Sequence, residues 1–260
     1  MRIVYIGAER VGLACLCRLI DMNREMAGVF TADPALGPKI ADYVSFDDEM
    51  ARRALTCFKI KSSKAPEFVQ QVKALRPDLI LVIGWSQIIP QELVHAAPLG
   101  CVGLHYSLLP ARRGGAPLFW ALRDGLTESG MTLFYLNEKI DAGDVIAQKR
   151  FPIDRHDTAR TLLDKIVVAA PELLSETIHL IESGKAPRIK QDESRATTTT
   201  RRTPSESLIQ GSYSLEELHN FIRALAPPYP SAFTFLGGHK LVIPSARLEK
   251  GRLWIEGYLE

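Results

Sequence analysis

The first hundred residues alternate short apolar runs with segments whose apolar residues recur at helical spacing. Short apolar runs bounded by turn residues are typical of buried strands, and alternation with helices is typical of parallel sheets. The pattern predicts strands at residues 2–6, 27–30, 57–60, 79–83 and 101–104, and helices at 11–22 and 68–75. We therefore expect an α/β fold with a Rossmann-like, mostly parallel sheet flanked by helices.

The next eighty residues continue this pattern with fewer turns. A helix is expected after the Gly-Gly-Ala-Pro turn ending at Pro117, because proline is well accommodated in a first helical turn. Strands are predicted at 131–136 and 145–151. A long helix at 158–183, capped by Asp157, should be kinked or divided at Pro171.

A change of composition divides the chain. Residues 189–206 are rich in Thr, Arg, Ser and Pro and predict a linker that crosses the surface. We expect a catalytic domain at 1–188 and a small C-terminal domain at 207–260. The latter should be α+β and partly barrel-like, with a helix at 215–225 and strands at 232–235, 240–243 and 252–255.

Charge and cysteine content exclude several classes of protein. The 32 basic and 30 acidic residues give a net charge of +2, which argues against a nucleic-acid partner. The four cysteines lack the spacing of a zinc site, so no metal is expected. The chain starts without the features of a signal peptide, and no apolar run approaches the about 20 residues of a membrane span. A cytoplasmic protein without membrane contact is expected.

Two segments concentrate the candidate chemistry. His105 ends an apolar strand and begins a polar loop that reaches Pro117, and Asp141 lies in an Asp-Ala-Gly-Asp turn that could return to it. An imidazole oriented by a carboxylate can move protons near neutral pH, and the carboxyl edge of an open α/β sheet is where ligands bind. The Gly7–Gly12 segment lacks the middle glycine of a dinucleotide site and predicts an ordinary strand-to-helix turn.

These segments resemble those of the formyltransferases that use 10-formyltetrahydrofolate. The resemblance rests on His-x-Ser-Leu-Leu-Pro with Arg-Gly after it, and on Asp-x-Gly-Asp about 35 residues later. It extends to residues 84–90, to Gln191, to the Arg-Arg-Thr-Pro at 201–204 and to residues 223–233, which are similar to the methionyl-tRNA and UDP-4-amino-arabinose formyltransferases. The resemblance covers nearly the full chain.

The resemblance implies a function for each segment. His105 would stabilise the oxyanion that forms when an amine attacks the formyl carbon, and Asp141 would orient the imidazole and help relay the amine's proton. Residues that would bind 10-formyltetrahydrofolate are Trp85, Ser86, Gln87, Ile88, Ile89, Ile140 and Asp144. Residues that would contact the acceptor are Arg10, Tyr106, Ser107, Leu108, Leu109, Pro110, Arg113, Gly114 and Tyr229.

One position departs from the family pattern. The family's catalytic Asn, two residues before the His, falls at Gly103, which has no side-chain donor. Loss of one oxyanion donor typically costs about a hundredfold to a thousandfold in rate. Another amide, Asn137 or Gln87, could substitute; a water or backbone N–H could take its place; or the protein could bind without catalysing.

The resemblance leaves the acceptor open. A glycinamide ribonucleotide formyltransferase lacks a counterpart to residues 207–260, and a methionyl-tRNA formyltransferase has a more basic second domain. A nucleotide-linked amino sugar is therefore the expected small-molecule acceptor, with a methionyl-tRNA formyltransferase-like enzyme as the alternative. The similar sugar N-formyltransferases are commonly dimers, so a homodimer is expected.

Overall fold

The computed structural model describes all residues from 1 to 260. The twelve strands are β1 (Arg2–Ile6), β2 (Glu25–Ala32), β3 (Cys57–Ile60), β4 (Leu79–Val82), β5 (Cys101–His105), β6 (Arg113–Gly114), β7 (Glu128–Tyr135), β8 (Val145–Pro152), β9 (Thr198–Thr199), β10 (Ala232–Leu236), β11 (His239–Glu249) and β12 (Arg252–Leu259). The helices are α1 (Arg10–Asp21), α2 (Asp47–Arg52), α3 (Pro66–Ala74), α4 (Gln91–Val94), α5 (Pro117–Arg123), α6 (Ala159–Glu182) and α7 (Leu215–Ala224). Short 3-10 helices span Pro34–Lys39, Glu193–Arg195 and Pro204–Ser207.

Seven strands form the central sheet in the order β3-β2-β1-β4-β5-β7-β8. The first five are parallel, and β7 and β8 add to the β5 edge in antiparallel orientation. Alternate residues of β1 enter different apolar clusters: Ile3 and Tyr5 lie on the side of α1, α5 and α6, whereas Val4 and Ile6 lie on the side of α3 and α4. Both faces of the sheet are therefore covered, and the predicted mostly parallel Rossmann-like fold is confirmed.

The long helix differs from its prediction in two ways. Its N-cap is Thr158, which forms a capping box with Thr161, while Asp157 binds the Asp154 N–H and the Lys165 ammonium instead. The helix also continues through Pro171 without a break. A proline costs one backbone hydrogen bond, and the apolar stripe that α6 buries against the sheet and α1 outweighs that loss.

The C-terminal part consists of α7 and an open three-stranded antiparallel sheet in the order β10-β11-β12. The predicted α+β composition is confirmed. Strand β11 is longer than expected, since the prediction ended it before Pro244 and the structure passes that residue through an irregularity between Val242 and Ser245. Arg223 of α7 donates to the carbonyls of Asp154 and Asp157 at 3.0 and 3.1 Å, which fastens α7 to the larger part of the chain.

Two short helices, α2 and α4, were not predicted, because six and four residues are too few to show a helical period. None of the helices combines the length and the apolar character that crossing a bilayer requires. The sheet order places the ends of β1, β4 and β5 side by side at one edge, and the candidate site is built there.

Candidate active site

His105 is the last residue of β5, and its ring lies between two hydrogen-bond acceptors. Its Nδ1 is 3.5 Å from Oδ2 of Asp141, and its Nε2 is 2.8 Å from the carbonyl oxygen of Arg112. The residue is 8% exposed. Both ring nitrogens therefore face acceptors, and the Asp141 carboxylate and the Arg112 carbonyl together fix the orientation of the ring.

Asp141 is positioned by residues far from it in sequence. The backbone N–H of Gly114 donates to its Oδ2 at 2.7 Å. The side-chain amide of Gln191 donates to the carbonyls of Asp141 and Gly143 at 2.9 and 2.7 Å. Asp141 has a positive φ of 51°, an uncommon conformation for a residue with a side chain. These bonds fix the turn that presents the carboxylate to His105.

The polar loop after His105 pairs with the threonine-rich segment at 197–200. Gly114 in β6 and Thr199 in β9 are partners, and the Arg112 N–H donates to Oγ1 of Thr197 at 2.9 Å. A Cβ on Gly114 would lie 2.3 Å from the carbonyl oxygen of Thr199, and its φ is +101°. This segment was expected only to cross the surface as part of a linker, yet it forms one wall of the site.

The predicted acceptor residues between positions 107 and 110 are held by a buried threonine. Thr132 is fully buried in β7; its hydroxyl donates to the carbonyl of Ser107 at 2.6 Å and accepts from the N–H of Leu109 at 3.1 Å. Ser107 donates through its own hydroxyl to the Ala111 carbonyl. Leu108 packs over Gly130, where a Cβ would lie 2.5 Å from the Leu108 side chain. The conformation of this loop thus depends on β7 beneath it.

Gly103 faces a leucine. A Cβ built on Gly103 would lie 3.0 Å from Cδ2 of Leu136 and 3.4 Å from the ring of Phe134. Asn137, the candidate substitute amide, accepts a hydrogen bond from the Lys139 N–H through Oδ1, and its Nδ2 has no hydrogen bond within the chain. Gln87, the other candidate, binds the Ser63 N–H and the Lys61 carbonyl. The space beside Gly103 is therefore lined by apolar side chains.

The segments predicted to bind the folate expose two isoleucines. Ile88 and Ile140 are 68% and 64% exposed, which is unusual for such large apolar side chains, whereas Ile89 is buried. The indole of Trp85 donates to Ser63. The Ser86 carbonyl accepts from Arg201, and Asp144 pairs with Lys190 at 2.8 Å. Exposed apolar side chains on two loops are suited to contact a flat ring system.

Of the remaining predicted acceptor residues, the two arginines have partners within the chain and Tyr229 does not. Arg113 is 8% exposed and binds Gln191 and Glu193. Arg10 pairs with Asp42 and Asp164, both at 2.7 Å. Tyr229 is half-buried in the proline-rich turn after α7, and its hydroxyl makes no hydrogen bond. The two arginines therefore hold the fold together around the site.

Sequence reasoning missed three residues of this region. Gln191 was noted only for its resemblance to the family, and Thr132 gave no signal beyond a place in a strand. Glu9 was treated as part of an ordinary turn. Its carboxylate accepts a 2.9 Å hydrogen bond from the hydroxyl of Tyr106. Burial, with a smaller contribution from the charge of Asp42, raises the pKa of Glu9 to about 7, against the lowering effect of the Tyr106 hydrogen bond.

Family comparisons match both parts of the chain. Residues 1–178 match the family described as "Formyl transferase", and residues 202–253 match "Formyl transferase, C-terminal domain". The methionyl-tRNA formyltransferase of Bacillus subtilis (strain 168) is 36% identical over 244 residues, which cover 93% of this chain and 77% of that protein.

Solved structures agree on the fold. A 4-N formyltransferase from Francisella tularensis aligns with a TM-score of 0.78 and 22% identity over 96% of this chain and 98% of that one. WlaRD, a sugar 3N-formyl transferase crystallised in the presence of dTDP and 5-N-formyl-THF, aligns with a TM-score of 0.70 and 18% identity over 99% and 94% of the two chains. At such identities the likeness extends to the fold alone.

Proposed function

The chain belongs to the formyl transferase family, and from this premise we propose that it transfers the formyl group of 10-formyltetrahydrofolate to a primary amine on a nucleotide-linked amino sugar. The observation that carries this proposal is the contact between His105 and Asp141 at the carboxyl edge of the sheet. An oriented imidazole in a half-enclosed site is suited to reactions in which an oxygen gains negative charge.

The folate fits the loops that expose Ile88 and Ile140. Their apolar side chains would contact its ring system, and the backbone of residues 85–89 and 140–144 would supply hydrogen bonds. When bound, 10-formyltetrahydrofolate supplies the formyl carbon that the amine attacks, and the products are a formamide and tetrahydrofolate. Burial under the folate ring would also explain why the two isoleucines are exposed in the free chain.

His105 stabilises the charge that develops on the formyl oxygen. Its Nε2–H is already directed at the Arg112 carbonyl, so it reaches the formyl oxygen by exchanging one acceptor for the other. Asp141 keeps a hydrogen on Nδ1 and accepts the proton that the amine loses, directly or through a water. The C–N bond to the folate breaks as its nitrogen takes up this same proton from Asp141, which restores the carboxylate. Nδ2 of Asn137 is the proposed substitute for the amide missing at Gly103.

The acceptor is proposed from the charges of the C-terminal part. Residues 207–260 contain five basic and five acidic side chains. Arg223 is buried against backbone carbonyls, and Lys240 and Arg247 pair with Glu260 and Glu249. A tRNA acceptor requires several free cations that face phosphates, so a compact acceptor suits this surface better. The likeness of the sequence to methionyl-tRNA formyltransferases makes methionyl-tRNA the second candidate.

A panel assay separates the two candidates. The enzyme is incubated with 10-formyltetrahydrofolate and either UDP- and dTDP-linked amino sugars or methionyl-tRNA, and release of tetrahydrofolate and the mass of the formylated product are measured. We expect turnover of at least one amino sugar. His105→Ala and Asp141→Asn should each lower kcat about a hundredfold or more, and His239→Ala, an exposed histidine of the C-terminal hairpin, should have no effect.

Two results would contradict the proposal. A kcat/KM for methionyl-tRNA far above that of every sugar would establish the second candidate. Folate binding without turnover of any amine would indicate the non-catalytic alternative that Gly103 left open.

We also propose that the protein is a homodimer. The C-terminal sheet exposes large apolar side chains, which a single chain leaves in water: Phe235, Leu236, Trp254, Ile255, Tyr258 and Leu259 are each about half or more exposed. Sedimentation equilibrium should give twice the chain mass of 28.9 kDa, and Trp254→Glu should shift the mass towards that of the monomer. A monomer at micromolar concentration would contradict this proposal.

A further inference from the structure

Glu9 is a half-buried carboxylate without a cationic partner. It follows β1 at the carboxyl edge of the sheet, where its N–H donates to the Gly84 carbonyl. Its one side-chain hydrogen bond comes from the hydroxyl of Tyr106, a neutral group, and it forms no ion pair. A carboxylate removed from water in this way retains unused capacity to accept hydrogen bonds.

Asp42 contributes a second unused acceptor in the same place. Its side chain is 4% exposed, and its Oδ1 accepts from Nε of Arg10 and Nη1 of Arg160, both at 2.7 Å. Its Oδ2 is buried and has no partner. The Arg10 N–H donates to the Asp42 carbonyl at 3.1 Å, and Glu9 forms an isolated β-bridge with Tyr43, so Asp42 lies beside Glu9. Buried polar atoms of native proteins rarely lack a partner, so a ligand that donates hydrogen bonds is indicated.

Tyr229 belongs to the C-terminal part of the chain, and burial, with smaller contributions from the charges of Glu9 and Asp42, raises the pKa of its hydroxyl. It packs against the main apolar core, while its hydroxyl makes no hydrogen bond and remains available to a ligand. Tyrosine rings and carboxylates together suit a sugar, since hydroxyl groups donate to carboxylates and C–H faces pack on aromatic rings.

The distance between Glu9 and His105 is one that a single acceptor molecule can span. Strand β4 separates β1 from β5, and neighbouring strands are about 4.8 Å apart, so the ends of β1 and β5 are about 10 Å apart. One nitrogen cannot contact both His105 and Glu9 over that distance. A ring that carries the reacting amine at one end and hydroxyl groups at the other can span it.

We propose that Glu9, together with the free oxygen of Asp42 and the hydroxyl of Tyr229, forms the subsite that recognises ring hydroxyl groups of the acceptor. This inference rests on the proposed sugar acceptor and assigns its specificity to residues outside the His105 and Asp141 pair. The two carboxylates repel phosphate, which directs the nucleotide part of the acceptor away from this subsite. Tyr106 is the positioning residue that holds the carboxylate of Glu9.

The subsite should respond to pH. The groups that face Glu9 are Tyr106, Tyr43, Asp42 and Tyr229, with Arg10 paired to Asp42. Protonation of Glu9 as the pH falls below its pKa of about 7 removes a charge-assisted hydrogen bond to the acceptor. KM for the acceptor should therefore rise towards low pH in the natural protein, and this rise should be absent in Glu9→Gln.

The test compares steady-state kinetics of the natural protein, Glu9→Ala, Glu9→Gln and Tyr106→Phe. Each is assayed with the best amino-sugar nucleotide and with its analogues that lack one ring hydroxyl. We expect Glu9→Ala to raise KM at least tenfold with little change in kcat, and Glu9→Gln and Tyr106→Phe to raise it several-fold. With the natural protein, one deoxy analogue should have a KM raised by a similar factor over that of the full acceptor. With Glu9→Ala, the KM of that analogue should equal the KM of the full acceptor. Glu176→Ala, an exposed carboxylate of α6 without bonds, is the matched control.

Each outcome gives a decision. If the natural protein turns over the sugar and Glu9→Ala is folded at the assay temperature and retains its KM, the Glu9 subsite is wrong and the proposed function stands. If every deoxy analogue raises KM by the same factor with the natural protein and with Glu9→Ala, the assignment of Glu9 to a ring hydroxyl is wrong. If the natural protein turns over no amino sugar, both proposals fail. If Glu9→Ala does not fold, Glu9→Gln and Tyr106→Phe decide the matter through KM.

Discussion

The backbone N–H of Gly114 donates a 2.7 Å hydrogen bond to Oδ2 of Asp141, the same oxygen that lies 3.5 Å from Nδ1 of His105. The orientation of the carboxylate therefore depends on a residue that has no side chain. Gly114 holds this position because it combines a positive φ with contact against Thr199, so the geometry of the His105–Asp141 pair is coupled to the threonine-rich segment.

Gly114→Ala should therefore damage both stability and activity. The new Cβ would meet the Thr199 carbonyl oxygen at 2.3 Å with φ at +101°, and we expect a loss of at least about 2 kcal/mol in the free energy of unfolding. As β6 moves, kcat should fall at least tenfold. Urea denaturation and formyl-transfer assays measure the two effects.

Gly211→Ala is the matched control for this variant. Gly211 has φ +86° and no atom near a Cβ, so it carries the backbone strain without the clash. It should lose about 1 kcal/mol and keep its activity. Equal stability losses in the two variants would mean that the contact with Thr199 does not matter.

Gln191→Leu should lower kcat more than it raises the KM of either substrate. The substitution leaves the carbonyls of Asp141 and Gly143 without their partner and removes one of the two partners of the Arg113 guanidinium, at a cost of about 1–3 kcal/mol in stability. The turn that carries Asp141 loosens, and we expect a tenfold to hundredfold fall in kcat. Gln210→Leu, at an exposed position without bonds, is the control, and a full kcat in Gln191→Leu would contradict the positioning role.

Gly103→Asn should not by itself raise activity. Its Cβ would lie 3.0 Å from Cδ2 of Leu136, so the amide has to displace that side chain. Leu136→Ala clears the space, and the double variant should therefore have a kcat at least tenfold above that of Leu136→Ala alone, because one more donor faces the oxyanion. Asn137→Ala, measured with and without Gly103→Asn, tests the substitute amide. The Asn137→Ala substitution should lower kcat less when the Gly103→Asn substitution supplies an amide of its own.

Glu9→Gln should stabilise the protein at alkaline pH. The folded pKa of about 7 lies above the unfolded value of about 4.3, so the folded chain binds the proton more tightly and the free energy of unfolding falls as the pH rises from about 4 to 7. The glutamine variant lacks this loss. The difference in the free energy of unfolding, variant minus natural protein, should therefore be about 1–3 kcal/mol larger at pH 8 than at pH 4.

Thermal or urea unfolding at pH 4, 6 and 8 measures that difference. Glu176→Gln serves as the control, since Glu176 is exposed and makes no hydrogen bond or ion pair. A Glu9→Gln difference that is the same at all three pH values would contradict the raised pKa.

The sequence by itself determined the parallel sheet, because its strands are buried on both faces and appear as continuous apolar runs such as residues 79–82. It also placed His105 at a strand end and Asp141 in a turn, since local patterns and motif spacing carry that information. The long helix was predicted with the wrong cap, because Asp157 and Thr158 compete for one position. It was also predicted to be kinked or divided at Pro171, and only the packing of α6 decides that this proline does not divide it.

Only the tertiary structure brought Gln191, Thr132 and Glu9 to the site. Gln191 is fifty residues from Asp141, and Thr132 reaches Ser107 across a strand pair. Glu9 meets Tyr106 because only β4 separates β1 from β5 in the sheet. Such contacts follow from strand order and from hydrogen bonds between distant segments, which leave no periodic trace along a chain. Local patterning specifies which elements form; the packing of those elements decides which side chains share a site.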